Sequence, residues 1–112
     1  MKIPQDGKLL RIFIGEQDKW KDIPLYEAIV VLARKEMMAG ATGFKGCMGF
    51  GCKSHMHTAK ILRLSEDLPI IIEIVDSEEK ISQFIPHLDE MVKEGLVTLE
   101  KVNVIMYRAD AK

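Results

Sequence analysis

The sequence predicts an α+β sandwich, βαββαβ in order, with two helices on one face of a four-stranded antiparallel sheet. Three observations carry this. Apolar runs and amphipathic stripes follow one another as strand, helix, strand, and that order is then repeated. No apolar run approaches the ~20 residues of a membrane-spanning helix. The 112 residues should bury roughly 65% of their unfolded surface, enough for one core, so the chain reads as a single domain over residues 1–112.

Lys8 to Ile14 is a short run rich in large apolar residues, closed by Gly15 and a polar turn, and predicts the first strand. Pro24 suits a first helical position, with Asp22 close enough to cap. Leu25, Ala28, Ile29, Leu32, Ala33 and Met37 then make an amphipathic stripe, and Gly40 is placed to end it. Thr42 to Met48 reads as a strand weakened by glycines, and Ala59 to Leu64 fits a short strand or a helical turn. Leu68 to Val75 is the clearest strand. Asp76 and Glu79 resemble a capping box before a second stripe of Ile81, Phe84, Ile85, Leu88 and Val92. Pro86 should kink that helix and Gly95 should stop it. In Val97 to Tyr107 the apolar phase shifts, which predicts a bulge or two short strands. Two similar β-α-β halves of this kind are the ferredoxin-like arrangement.

In such a fold the helices leave one sheet face bare, and that face should be polar. Here Leu9, Leu10, Ile12, Phe13 and Ile14 are apolar on both sides, as are Ile70, Ile71, Ile72, Ile74 and Val75. The second face therefore predicts burial against further copies of the chain.

The formal charge is −1, from 16 basic and 17 acidic residues. That argues against a basic nucleic-acid binder. The N-terminus has no secretory h-region and the two cysteines do not make a disulfide scaffold, so a cytoplasmic location is expected. The balance conceals an asymmetry. Between Met37 and Ser65 there is no Asp or Glu, while Lys45, Lys53, Lys60 and Arg63 add four positive charges and five of the eight glycines cluster. This is where an anion would bind.

Within it, Gly46-Cys47-Met48-Gly49-Phe50-Gly51-Cys52-Lys53 can turn successive backbone N–H groups toward an anion, with Lys53 adding a point charge. Ordinary turn glycines would look the same, and neither the phosphate-loop nor the dinucleotide pattern is present. Cys47, Cys52, His55 and His57 match the ligand number and chemistry of zinc, at a spacing unlike common zinc modules, so a metal-binding or metal-sensing loop is the alternative function. No catalytic residues stand out: there is no nucleophile elbow, and Asp76, Glu78 and Glu79 are explained as helix-capping acids. Trp20 and Lys19 could form an aromatic contact, with a loop anchor as the plainer reading.

LLRIFIGEQDKW, PLYEAIVVLARKE, GATGFKG, MGFG, HTAKILRLSEDLPIIIEIVDSEEKI and LDEMVKEGLVTLEKV together resemble the PII-like proteins of domain-of-unknown-function family 190, related to the nitrogen-regulatory PII proteins. The resemblance covers about Lys8 to Tyr107. It implies a homotrimer with inward-facing sheets, an adenine nucleotide (ADP, AMP or ATP) bound between subunits, and a mobile loop that controls a partner protein, a membrane transport protein being one kind. No enzymatic activity and no required cofactor are implied. The resemblance places Gly49, Phe50 and Gly51 at the base of the loop beside the nucleotide, with Lys53 displaced by one residue from the PII basic position. It places Thr42 near the adenine, Ile74, Val75 and Asp76 at the end of the third strand where backbone approaches the base, and Arg108 toward phosphate. The glycine- and lysine-rich phosphate segment of PII proteins has no counterpart; Lys93-Glu94-Gly95-Leu96-Val97 stands there instead.

Overall fold

The computed structural model describes residues 6–50, 57–58 and 68–109, with backbone only at 57–58. Strand β1 runs Asp6–Gly15. A small hairpin follows, β2 Lys19–Trp20 and β3 Ile23–Pro24, which leads directly into α1, Leu25–Lys35. Next come β4 Thr42–Lys45, β5 Met48–Gly49 and β6 His57–Thr58. Strand β7 Pro69–Asp76, α2 Glu78–Met91 and β8 Leu96–Asn103 complete the chain. The main sheet has the order β4-β7-β1-β8, antiparallel throughout, which is the ferredoxin-like topology the sequence predicts.

Alternation is strict despite the apolar runs. Leu10, Ile12, Ile14, Ile70, Ile72 and Ile74 are buried beneath Leu25, Ala28, Ile29 and Ala33 of α1 and Ile81, Phe84, Leu88 and Met91 of α2. Their sheet neighbours Leu9, Phe13, Ile71 and Val75 point the other way and are half-buried. On that outer face Phe44, Ile71, Phe13 and Leu96 lie directly opposite one another across all four strands, with Phe44 47% and Leu96 56% exposed. The neighbouring row is Thr42, Glu73, Arg11 and Thr98, in which Arg11 bonds Glu73 at 2.9 Å and Glu100 at 3.2 Å. The hydrogen bond to Glu73 raises the Arg11 pKa, so its charge is fixed.

Several helix ends differ from expectation. Ser77, not Asp76, is the N-cap of α2, its hydroxyl accepting from Lys80 N–H at 3.2 Å; the third helical position is Lys80, so Glu79 closes no capping box. Asp76 instead takes tertiary partners. The α1 N-cap is Pro24, with no side-chain cap bond, and Asp22 is a turn residue. Lys21 and Asp22 have φ of 48° and 73°, the left-handed pair of a two-residue hairpin turn. Trp20 of that hairpin packs on the core, and Lys21 rather than Lys19 sits 5.2 Å from its ring. Helix α1 stops before Gly40: Met37 takes φ 60°, its N–H bonding Arg34 O while Met38 N–H bonds Ala33 O, a Schellman closure usually built on glycine. Helix α2 is continuous through Pro86 and ends at Met91.

Gly95 has a different role from the one expected, since it sits where a Cβ would come 2.6 Å from the Phe13 carbonyl oxygen. Strand β8 ends at Asn103, and its pairing to β1 is unbroken from Leu96 to Asn103, so the phase shift is not a bulge. Val97 and Leu99 lie on the helix side and Val102 on the outer side, and neither layer reaches far enough to bury them fully.

Two stability effects follow from these positions. Met37→Gly removes a left-handed non-glycine residue that is 67% exposed, and should stabilise the fold by about 1 kcal/mol in urea unfolding. Gly95→Ala forces the Phe13 strand and the β8 entry apart and should destabilise by roughly 1–3 kcal/mol. An unchanged midpoint for Gly95→Ala would show that this close approach is not required.

Candidate functional site

Strand β7 is the axis of the region, and its two ends are built differently. At its start, Pro69 is crossed by the glycine segment. Gly46 N–H bonds the Pro69 carbonyl at 2.7 Å, and a Cβ on Gly46 would lie 2.8 Å from Pro69 Cγ. A Cβ on Gly49 would lie 3.3 Å from the same atom. The expected strand from Thr42 to Met48 therefore ends at Lys45. The chain bends over the proline ring at Gly46 and re-enters pairing at Met48 and Gly49, opposite Thr58 and His57. These two glycines are present because backbone approaches a ring closely, which accounts for them without a ligand. Phe50, 65% exposed, stands at the end of β5. Gly51 and Lys53 lie outside the described residues.

At its far end β7 has a one-sided neighbour. Pairing with β4 covers Ile70 to Glu73 only, beginning at Thr42 opposite Glu73. Ile74, Val75 and Asp76 pair with β1, and among the described residues no strand pairs with them on the β4 side. The backbone N–H and C=O of Val75 thus border a notch whose rim is Thr42. The Ile74 side chain is fully buried beneath the helices and its backbone groups turn toward Leu10 of β1, so Ile74 stands behind the notch and does not face it.

Asp76, the residue that closes this notch, was read from sequence as a helix cap. It is 2% exposed, and its carboxylate accepts from Ala39 N–H at 2.8 Å and Ser77 N–H at 2.7 Å. Tyr107 reaches the same place, its hydroxyl donating to the Ala39 carbonyl at 2.6 Å. Arg108 follows it and is exposed. Sequence reading missed Ala39, Asp76 and Tyr107 in these positions; the one available signal was an aromatic residue set among exposed apolar ones after the last strand.

The six of the eight predicted binding residues that are described therefore do not converge within one chain. Thr42, Ile74, Val75 and Arg108 belong to the Asp76 end, and Gly49 and Phe50 to the Pro69 end. Six residues of extended chain separate Pro69 from Val75, about 20 Å. Of the metal-ligating set, only Cys47 has a described side chain; it is exposed, and among the described residues no three His, Cys, Asp or Glu side chains gather as a metal group. A cleft of about 300 Å³ lies elsewhere, between the helices and the β2–β3 hairpin, lined by Trp20, Val31, Lys35 and His87 among others and by none of the predicted residues. Among the described residues no helix is long and apolar enough to cross a membrane.

With this geometry in place, the chain can be compared with known proteins. It is 37% identical over 98 residues to a UPF0166 protein of Aquifex aeolicus (strain VF5), covering 88% of this chain and 92% of that one. It is 38% identical over 99 residues to the UPF0166 protein MJ1524 of Methanocaldococcus jannaschii, covering 88% and 91%. Among solved structures it is similar to CPII of Thiomonas intermedia K12 bound to ADP and bicarbonate, with a TM-score of 0.66, 20% identity and 88% of each chain covered. A second structure of that protein, described as nitrogen regulatory PII-like and bound to ADP, AMP and bicarbonate, gives a TM-score of 0.63 at 19% identity. Those two likenesses establish the PII-like ferredoxin-like fold. Residues 7–104 match the family DUF190, described as uncharacterized ACR, and with the relatives this shows that the chain belongs to DUF190.

Proposed function

We propose that this protein is a cytoplasmic, homotrimeric PII-like regulator that binds an adenine nucleotide between subunits and signals to a protein partner through the loop beyond Gly49. The observation that carries this is the separation of the two half-sites along β7. Thr42, Arg108 and the open backbone of Val75, next to Ile74, can meet Gly49 and Phe50 only if the second group comes from a neighbouring copy. The apolar row of Phe44, Ile71, Phe13 and Leu96 supports such a neighbour, because a face of this kind is costly to leave in water. ADP and AMP are favoured as ligands, since they are what the similar CPII structures hold. The notch would read the adenine edge by backbone, Arg108 would meet phosphate, and Gly51 and Lys53 would complete the loop side. Ligand binding then selects among loop conformations, and the partner responds to that selection. No catalytic step is proposed.

Two measurements test this. Sedimentation of the wild type should give the mass of three chains, and Phe13→Asp, which puts a charge in the apolar row, should yield monomers. A wild-type monomer would remove the basis for a shared site. Calorimetry against ADP, AMP and ATP, with and without bicarbonate, should give binding at micromolar levels, weakened about tenfold by Arg108→Ala. A folded trimer that gives no heat with any of them would sink the nucleotide reading.

A further inference from the structure

Ala39 is held from both sides. Its N–H donates to the buried carboxylate of Asp76 at 2.8 Å, and its carbonyl accepts the Tyr107 hydroxyl at 2.6 Å. A third bond reaches the same connection from α2, where Lys80 Nζ donates to the Glu36 carbonyl at 2.8 Å. Two of these partners sit on regular elements, Asp76 at the end of β7 and Lys80 in the first turn of α2. Tyr107 does not. It lies beyond the end of β8 in a segment with neither helix nor strand, where Ile105 is 82% exposed. Its phenol therefore ties a loosely supported segment to the rigid junction that leads into β4.

We propose that Tyr107 is a positioning residue: its hydrogen bond to Ala39 latches the segment after β8 and so holds Arg108 at the Asp76 end of β7. This rests on the nucleotide reading above for what Arg108 meets. An arginine on a free segment gives up conformational freedom when it engages a ligand, and fixing the preceding residue removes part of that cost before binding. The latch also couples elements. Asp76 joins Ala39 to Ser77, the N-cap of α2, so a pull on Arg108 is felt at the entry to β4 and at the start of α2 together.

Tyr107→Phe deletes the hydroxyl and keeps the ring. ADP calorimetry on the full chain should show affinity three- to tenfold lower, the range for one lost hydrogen bond, with the melting temperature unchanged. Arg108→Ala should add little on the Tyr107→Phe background although it weakens the wild type, because the two act as one unit. Equal affinity for Tyr107→Phe, or full additivity of the two substitutions, overturns the latch. A second readout needs no nucleotide. Trypsin cleavage after Arg108, followed by mass spectrometry, should be several-fold faster in Tyr107→Phe, and equal rates overturn the latch as well. Should the wild type give no heat with ADP, the nucleotide reading falls while the cleavage rates still decide whether Tyr107 holds the segment.

Discussion

A sheet with two apolar faces and helices for only one of them is the constraint on which the rest of this structure depends. The helix side closes a conventional core, in which six strand residues from Leu10 to Ile74 are packed by both helices. The other side carries Phe44, Ile71, Phe13 and Leu96 in a continuous row, with Leu9 and Val75 beyond the polar row of Arg11 and Glu73. Burying such a row gains roughly 25 cal/mol per Å² of apolar surface removed from water. The face also contains its own specificity device. Arg11 is bound by Glu73 and Glu100 in the middle of the face, so a partner surface must accommodate a charged cluster already satisfied within the chain. That disfavours indiscriminate apolar pairing and favours a partner of defined register.

The same sheet explains why the candidate site is divided. Strand β7 is central, lying between β4 and β1, and anything attached to its two ends is kept about 20 Å apart by an extended backbone. At Pro69 the chain crosses a ring, which only glycines at 46 and 49 permit so closely. At Asp76 the chain meets a carboxylate. Neither end can relax toward the other without unpairing β1 from β7, the longest ladder in the fold together with that of β1 and β8. A ligand that needs both sets of residues must therefore lie between molecules.

The element order, the buried stripes of both helices and the two apolar sheet faces were legible in the sequence because period and composition report burial directly. What was not legible depended on distant partners. Asp76 and Ser77 are both good caps by residue type, and the choice between them is made by the Ala39 N–H, 37 positions away. Gly40 looked like the helix stop because glycine favours positive φ, yet Met37 adopts it, held by the bonds from Met37 and Met38 to Arg34 and Ala33. The site residues were found as types, whereas their distribution between opposite ends of β7 was invisible. Adjacency in sequence says nothing about which end of a strand a glycine loop or a terminal arginine will reach.

Asp76 shows how closely stability and the notch are linked. A buried carboxylate is tolerated only if its charge is met by donors, and here two backbone N–H groups from different elements do so. Continuing the register of β4 against β7 would set Ala41, Gly40 and Ala39 opposite Ile74, Val75 and Asp76. The Ala39 N–H instead meets the side chain of Asp76, and the ladder begins only at Thr42 and Glu73. The same carboxylate thus ties down the α1–β4 connection and steadies the start of α2 through Ser77, beside the point where Val75 has no β4 residue paired to it. An open stretch of central-strand backbone is unusual, because unpaired peptide groups attract other chains. Here the chain before Thr42 is held by the carboxylate of Asp76, and not by a further rung of the ladder.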